Sequence, residues 1–508
     1  MDFLLKTALL VYSSTCLLVY KKYMLNLRLI AHVISSLLLL EALLLSVAFG
    51  VGIYHNETDN ATFGIPIGVT LILAIILFRL GRKAVNKLGR RDGYLIISST
   101  WIIFSIIGML PFLIGGSTTN VAHAFFETMS GFTTTGASIF TNIDALPHSI
   151  LFWRSMTHWI GGMGIVFFTV AILPTIGTGD QKLFSAESTG LKIGKLHPKI
   201  STTARWLWSL YLLLTVTCII AYHFGGMNVF DAINHGLSTV ATGGFSTHQA
   251  SIAYFNSATI EYISVGFMFL ASINFTLLYL FLIKMRFREV LKDAELRFFT
   301  CTVALSTIFI AGTLIVAHEA NFSEAVRRAL FNVVSISSTT GFTTDDFMMW
   351  HPCVWMVITM VGVMGACAGS TSGGLKSIRV LTAYKISLCE FRRTLHPKAV
   401  FPVRINHTII TNEMSRTIFV YFAICAALLI LGTGILAALG VPMLDAVGLS
   451  ISSFSNIGPT LGHAVGPLDS WDAIPDTGLW VCSFLMLAGR LEIFSLLLPF
   501  FPDFWKEN

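Results

Sequence analysis

Apolar residues run along this chain in ten long stretches, at about 28–54, 64–82, 94–115, 152–175, 206–225, 257–285, 298–317, 350–388, 415–439 and 474–502. A helix needs roughly 20 such residues to cross the hydrocarbon core of a bilayer, so each stretch predicts a crossing. Four shorter stretches, about 121–133, 228–240, 323–337 and 442–454, have helical periodicity but only a dozen or so residues. At 1.5 Å per residue they reach about 20 Å at most, so they are expected to enter the membrane and turn back. Each runs into a small polar turn. The turns read Thr133-Thr134-Thr135-Gly136-Ala137, Ala241-Thr242-Gly243-Gly244-Phe245, Ser338-Thr339-Thr340-Gly341-Phe342 and Ser455-Asn456-Ile457-Gly458-Pro459.

The order span, short helix, glycine turn, span therefore repeats four times after two leading spans. This predicts an all-α polytopic membrane protein: two leading helices plus four fused helix–pore-loop–helix pseudo-repeats around a central pore. The expected divisions are 1–92 (N-terminal segment and leading helices), 93–200, 201–290, 291–405 and 406–508.

Composition narrows the class further. Of 508 residues 54% are hydrophobic and 12% charged, with a mean hydropathy of +0.75; an ordinary soluble domain carries about 25% charged residues. The net charge of +6 does not point to nucleic acid, because the basic residues sit between apolar stretches. They cluster in four loops: Arg79 to Arg91, Lys182 to Arg205, Lys284 to Arg297 and Lys376 to Arg404. By the positive-inside rule those loops are cytoplasmic and the four turns face outward. Arg327 and Arg328 fall on the outer side and are assigned to the mouth or to a subunit contact. The eight cysteines are scattered without a CxxC pair, which argues against a disulfide framework or a zinc site. Residues Leu4 to Tyr20 are apolar but interrupted by Lys6. A signal peptide, an extra helix and an extension ahead of Met24 all remain open for them. The sequons at Asn56, Asn60 and Asn321 matter only in a eukaryotic secretory pathway.

The chemistry lies in the turns. If each follows its short helix, the helix carboxyl end, carrying roughly half a negative charge, points at the axis and favours a cation there. Backbone carbonyls then replace hydration water. Glycine supplies the backbone angles that a Cβ would obstruct. No turn holds a carboxylate, so a large monovalent ion such as K⁺ fits better than Ca²⁺. The candidate ion-binding residues are Thr134, Thr135 and Gly136; Thr242, Gly243 and Gly244; Thr339, Thr340 and Gly341; Asn456, Ile457 and Gly458.

On these turns, the chain from about 28 to 502 resembles the membrane subunits of the Trk/Ktr/HKT potassium transporters, and is most similar to the TrkH subunits, whose two additional leading helices match residues 28–82. The resemblance implies filter glycines at Gly136, Gly244, Gly341 and Gly458, with Gly243/Gly244 an ambiguous pair and a fourth turn that departs from the Thr-Gly pattern. Relatives that prefer Na⁺ often carry serine at the first glycine, so Gly136 implies K⁺. The resemblance also implies a bacterial inner-membrane location, a homodimer, and a cytoplasmic nucleotide-binding regulatory subunit of the TrkA type docked on the basic loops.

A second unusual run lies midway through 350–388. Gly365, Gly369, Gly373 and Gly374, with Ser370, Thr371 and Ser372, precede Lys376. Each glycine costs about 1 kcal/mol in a helix relative to alanine, so a break is expected; GxxxG helix packing is the alternative. The resemblance implies an intramembrane gating loop at 365–376. Arg490 falls in the middle of the last apolar stretch, where a charge costs about 2.5–3.5 kcal/mol on insertion scales. It is expected to face the conduction path, to hydrogen-bond the Gly/Ser run and to repel cations. Pairing with Glu492 is the alternative, although residues two apart on a helix point to different faces.

Secondary transport coupling K⁺ to Na⁺ or H⁺ remains open, with Arg490 and Glu492 as the obvious ionisable pair. No P-loop, HExxH or dinucleotide fingerprint occurs, so no enzyme and no cofactor other than K⁺ is expected. The Gly161-Gly162-Met163-Gly164 cluster reads as helix packing, and His158 and His235 as structural or pore-rim residues.

Overall fold

The computed structural model describes residues 25–82, 89–164, 200–406 and 408–506. The apolar segment 4–20, the second half of the 152–175 stretch and the basic residues Lys83, Lys87, Lys182, Lys192, Lys195 and Lys199 lie outside them.

Two long helices lead: α1 (Leu27–Tyr54) and α2 (Ala61–Gly81). They form a tight antiparallel pair, and a Cβ at Gly81 would run into the His32 backbone. Next come α3 (Arg90–Gly108), α4 (Val121–Phe132), α5 (His148–Gly162), α6 (Ile200–Phe224) and α7 (Val229–Val240). The middle of the chain forms α8 (Ala258–Ser272), α9 (Phe275–Leu282), α10 (Ala294–Val316), α11 (Phe322–Ser337), α12 (Pro352–Met364) and α13 (Ser377–Leu395). The last part forms α14 (Asn412–Ala438), α15 (Met443–Ser455), α16 (Asp476–Arg490) and α17 (Phe494–Leu497). The described strands are a two-residue antiparallel hairpin, Arg404–Ile405 with Thr408–Ile409.

Six described helices are long and apolar enough to cross a membrane, or eight if each bent pair counts as one span. Their outer faces carry exposed Ile72, Ile75 and Ile76 on α2, Leu305 and Ile308 on α10, and Ile430 and Leu431 on α14. Apolar surface of that extent is tolerated in lipid and not in water. The short helices α4, α7, α11 and α15 have 12, 12, 16 and 13 residues and are buried along most of their length.

Two predicted spans are not straight. The 257–285 stretch bends by 108° between α8 and α9, and the last stretch bends by 117° after α16. The second bend corrects the expected place of Arg490, which is the last residue of α16 and not the middle of a helix. The reason is local: Glu492 and Ile493 both take positive φ and reverse the chain. The 350–388 stretch is likewise two helices, α12 and α13, separated by the non-helical segment 365–376.

Candidate functional site

Each short helix ends in the same cap. The amide of Thr134 donates to Gly131 O and that of Thr135 to Ser130 O; the pairs recur as Thr242–Thr239 with Gly243–Ser238, Thr339–Ile336 with Thr340–Ser335, and Asn456–Ser453 with Ile457–Ser452. This is the Schellman pattern, which needs a left-handed residue just past the helix end. Glycine usually fills that place. Here Thr134, Thr242, Thr339 and Asn456 fill it, with φ between 53° and 58°. Asparagine tolerates the left-handed region, but β-branched threonine is a genuine outlier there. The surroundings therefore impose this backbone shape, as is common where strain serves a function.

Two residues on, Gly136, Gly244, Gly341 and Gly458 also take positive φ. A Cβ at Gly136 would collide with the Gly243 carbonyl oxygen, one at Gly244 with that of Thr340, one at Gly341 with that of Ile457, and one at Gly458 with that of Thr135, all closer than 3.0 Å. The contacts run from the first turn to the second, third and fourth and back to the first. The four turns thus form a closed ring, and all twelve candidate ion-binding residues belong to it. Of the ambiguous pair, Gly244 has the positive φ and abuts the Thr340 carbonyl, while Gly243 turns its carbonyl to Gly136 and makes room for the His158 ring. A vestibule of about 550 Å³, open to solvent, leads to the ring and is lined by the four glycines together with Arg154, His248 and Trp471.

The turns differ in their side chains. Thr133 Oγ1 meets Thr135 Oγ1 at 2.8 Å and Ser338 Oγ meets Thr340 Oγ1 at 2.7 Å. The equivalent places in the second and fourth turns hold Gly243 and Ile457, which cannot make that bond. Asn456 Nδ2 instead reaches across to Thr135 Oγ1 at 3.0 Å.

The segment 365–376 lies against the ring on the side away from the vestibule. Thr371 Oγ1 is 3.3 Å from Thr242 Oγ1 and donates to Val240 O at 3.2 Å. The Gly373 amide donates to Thr339 Oγ1 at 2.7 Å, and Gly373 has no room for a Cβ beside Ser455 O. The segment therefore touches the second, third and fourth turns. Arg490 completes the circuit: Nη1 donates to Thr371 O at 2.7 Å, and Nη2 to Gly161 O at 2.5 Å and Gly162 O at 3.2 Å. The Gly161–Gly162 cluster is close packing, since Gly161 abuts the Phe132 carbonyl, and its own carbonyls also hold the arginine.

Other candidate gating residues fix the segment's shape. Gly365 (φ 64°) ends α12 and packs on Gly374 (φ 74°). The Gly369 carbonyl accepts from the Phe275 amide at 3.0 Å, in the bend between α8 and α9. Ser370 and Ser372 share a 2.8 Å hydrogen bond, and Lys376 Nζ donates to the Ser372 carbonyl.

Several partners are absent from the sequence reading. The buried carboxylate of Glu295 accepts from the amides of Ala368 (2.6 Å) and Ile378 (3.2 Å), tying both ends of the segment to α10. Glu492 pairs with Arg379. In the wall of the vestibule, Arg154 and Glu127 form a buried ion pair at 2.8 Å. A lone charge within an apolar stretch was the available signal for Glu127 and Arg154; Glu295 sits among the charges of the Lys284 to Arg297 loop and gave none. Arg327 and Arg328, assigned to the mouth or a subunit contact, are held within the chain by Glu261 (3.0 Å) and Asp345 (2.6 Å). His158 and His235, read as structural or pore-rim residues, are fully buried and hydrogen-bonded to Ser238 and Ser246.

Long apolar helices around an axial ring of main-chain carbonyls define a multi-pass membrane transport protein. Residues 67–506 match the model of the TrkH family, described as cation transport protein. The chain is 36% identical over 484 residues to the Trk system potassium uptake protein TrkH of Halomonas elongata, covering 95% of this chain and 100% of that one. It is 36% identical to the Escherichia coli K12 protein of the same name, covering 94% and 99%. The crystal structure of the potassium transporter TrkH from Vibrio parahaemolyticus superposes with a TM-score of 0.85 at 34% identity, covering 94% of this chain and 99% of that one. The chain belongs to the TrkH family of cation transport proteins, which are not enzymes, and is a multi-pass protein of the bacterial inner membrane.

Proposed function

We propose that this protein takes up K⁺ through a channel-like pore whose selectivity filter is the ring at Gly136, Gly244, Gly341 and Gly458. The observation that carries the reading is the closed circuit of contacts among the four turns, each glycine against the carbonyl before the next. Such an arrangement leaves carbonyls as the natural ligands for a dehydrated monovalent cation. The names of the relatives support K⁺ as the cargo. Residues 365–376 and Arg490 act as the gate: they fill the path next to the ring and set a fixed positive charge in it. The four divisions of the chain act as pore repeats, the homodimer as the assembly, and a TrkA-type nucleotide-binding subunit as the regulator on the basic cytoplasmic loops.

The test is ⁸⁶Rb⁺ uptake by purified protein in liposomes, with K⁺ or Na⁺ as competitor, for the wild type and Arg490→Ala. The variant loses three hydrogen bonds to carbonyls of Thr371, Gly161 and Gly162. It is expected to raise basal flux, with K⁺ competing far better than Na⁺. Silence of both proteins, or equal competition by the two ions, would refute the reading.

A further inference from the structure

The Glu127–Arg154 pair has no counterpart in the other three quarters of the ring. Counting seven residues back from the left-handed residue of each turn gives Glu127, His235, Asn332 and Leu449. Only the first is charged. Its partner Arg154, on α5, is 1% exposed, and Glu127 is 0% exposed.

The pair touches main chain just outside the ring on two turns. Glu127 Oε2 accepts from the Ile139 amide at 2.9 Å, and Oε1 accepts from Ser138 Oγ at 3.1 Å. Arg154 Nη1 donates to Ser246 O at 3.1 Å, and Nη2 donates to Ser138 Oγ at 3.1 Å. Ser138 and Ser246 stand two residues past Gly136 and Gly244. The guanidinium also lies over the Phe245 ring, 4.1 Å from its centroid, and that ring is stacked with His158 at a centroid distance of 4.0 Å. One buried guanidinium therefore links the outgoing strands of the first and second turns through charge-assisted hydrogen bonds.

We propose that Arg154, held by Glu127, is a positioning residue that fixes the spacing of the first and second turns and so sets ion discrimination. This rests on reading the ring as the selectivity filter. The same geometry gives the pair a second effect. Arg154 lines the vestibule, and Glu127 cancels its charge there. Removing the carboxylate leaves a net positive charge at the entrance, whereas removing the guanidinium leaves a net negative one. The two single variants are therefore expected to shift cation affinity in opposite directions while both loosen selectivity. A merely structural pair would lower yield and rate without splitting affinity by sign.

The experiment measures ⁸⁶Rb⁺ uptake in liposomes, its apparent KM and its competition by Na⁺, for wild type, Arg154→Gln, Arg154→Lys and Glu127→Gln, each checked for a monodisperse gel-filtration peak. Glu127→Gln should raise the KM and Arg154→Gln should lower it. The Rb⁺/Na⁺ preference should fall about tenfold in Arg154→Gln, the lower end of what losing an outer-shell partner costs a bound ion. Arg154→Lys should recover part of it. If Arg154→Gln does not fold, Glu127→Gln and Arg154→Lys decide. Folded variants with wild-type preference, or with KM shifts of the same sign, would overturn the proposal. A wild type that does not prefer Rb⁺ over Na⁺ would overturn the filter reading itself, and this proposal with it.

Discussion

Placing a methyl group on the ring tests its geometry against a built-in control. Gly136 has φ of 80° and no room for a Cβ beside the Gly243 carbonyl. Gly116 (φ 68°) and Gly440 (φ 91°) share the left-handed backbone but have nothing within 4 Å of a Cβ. Alanine at Gly116 or Gly440 therefore meets only the handedness penalty, about 1–2 kcal/mol. Alanine at Gly136 meets the same penalty and in addition overpacks the ring, typically by a further ~1–3 kcal/mol. The overlapping atom is a main-chain oxygen that cannot swing aside, so the second turn must move. Thermal unfolding should show Gly136→Ala to be the least stable of the three. The decisive assay is the Rb⁺/Na⁺ uptake ratio in liposomes: Gly136→Ala should lose about tenfold or more, equivalent to about 1.4 kcal/mol of discrimination. Gly116→Ala and Gly440→Ala should keep the wild-type ratio. Retained discrimination in Gly136→Ala, or an equal loss in Gly116→Ala, would refute the argument that carbonyl spacing in this ring selects the ion.

Two further outcomes follow from groups away from the ring. Glu41 on α1 is fully buried, and both its carboxyl oxygens lack a hydrogen-bond partner among the described residues; its helix neighbours Leu37, Leu38, Leu44 and Leu45 are buried too. An unsatisfied buried polar group costs about 1–3 kcal/mol, so Glu41→Leu should raise the thermal unfolding midpoint, and a lowered midpoint would mean the carboxyl has a stabilising role. On the outer surface, burial raises the pKa of the Asp144 carboxyl, but hydrogen bonds from the His248 ring and the Gln249 amide outweigh it and hold the group below its ordinary value. A depressed carboxylate stabilises above the unfolded pKa and stops doing so as pH falls through the folded one. The ratio of observed to intrinsic amide exchange around 143–145 should therefore stay constant from neutral pH down to about 4, the ordinary Asp range, and rise only below it. A rise beginning above pH 5 that Asp144→Asn abolishes would contradict this.

Much of the fold is legible in the sequence because bilayer length and glycine placement are both local signals. The four short helices lie within a residue or two of where periodicity puts them, and the Gly365–Gly374 run breaks the chain as its composition demands. Other features depend on contacts between distant parts of the chain. The stretches 257–285 and 474–502 each read as one span by length and overall hydropathy, so neither bend, at Ile273-Asn274 or at Glu492-Ile493, was visible. Gly243 and Gly244 look alike in the sequence, and what distinguishes them is contact with distant residues, the His158 ring beside Gly243 and the Thr340 carbonyl beside Gly244. Glu127 and Arg154 are 27 residues apart on separate helices, and their pairing depends on how α4 and α5 meet.

If the ring is the filter proposed above, the circular order of its contacts also fixes when an ion path can exist during synthesis. Gly341 has its partner at Ile457, and Gly458 has its partner at Thr135. A ribosome that has delivered the first three turns has made an open arc, with a gap where the fourth belongs. The threonines at the left-handed places gain only their own helix-cap hydrogen bonds from their strained shape until neighbours on both sides are present, so the arc has less reason to hold it. Main-chain oxygens come into ligand geometry only when the fourth turn slots in. A nascent chain stalled before that turn should thus leave the cell's K⁺ gradient undisturbed, and the finished protein should acquire its permeability in a single late step.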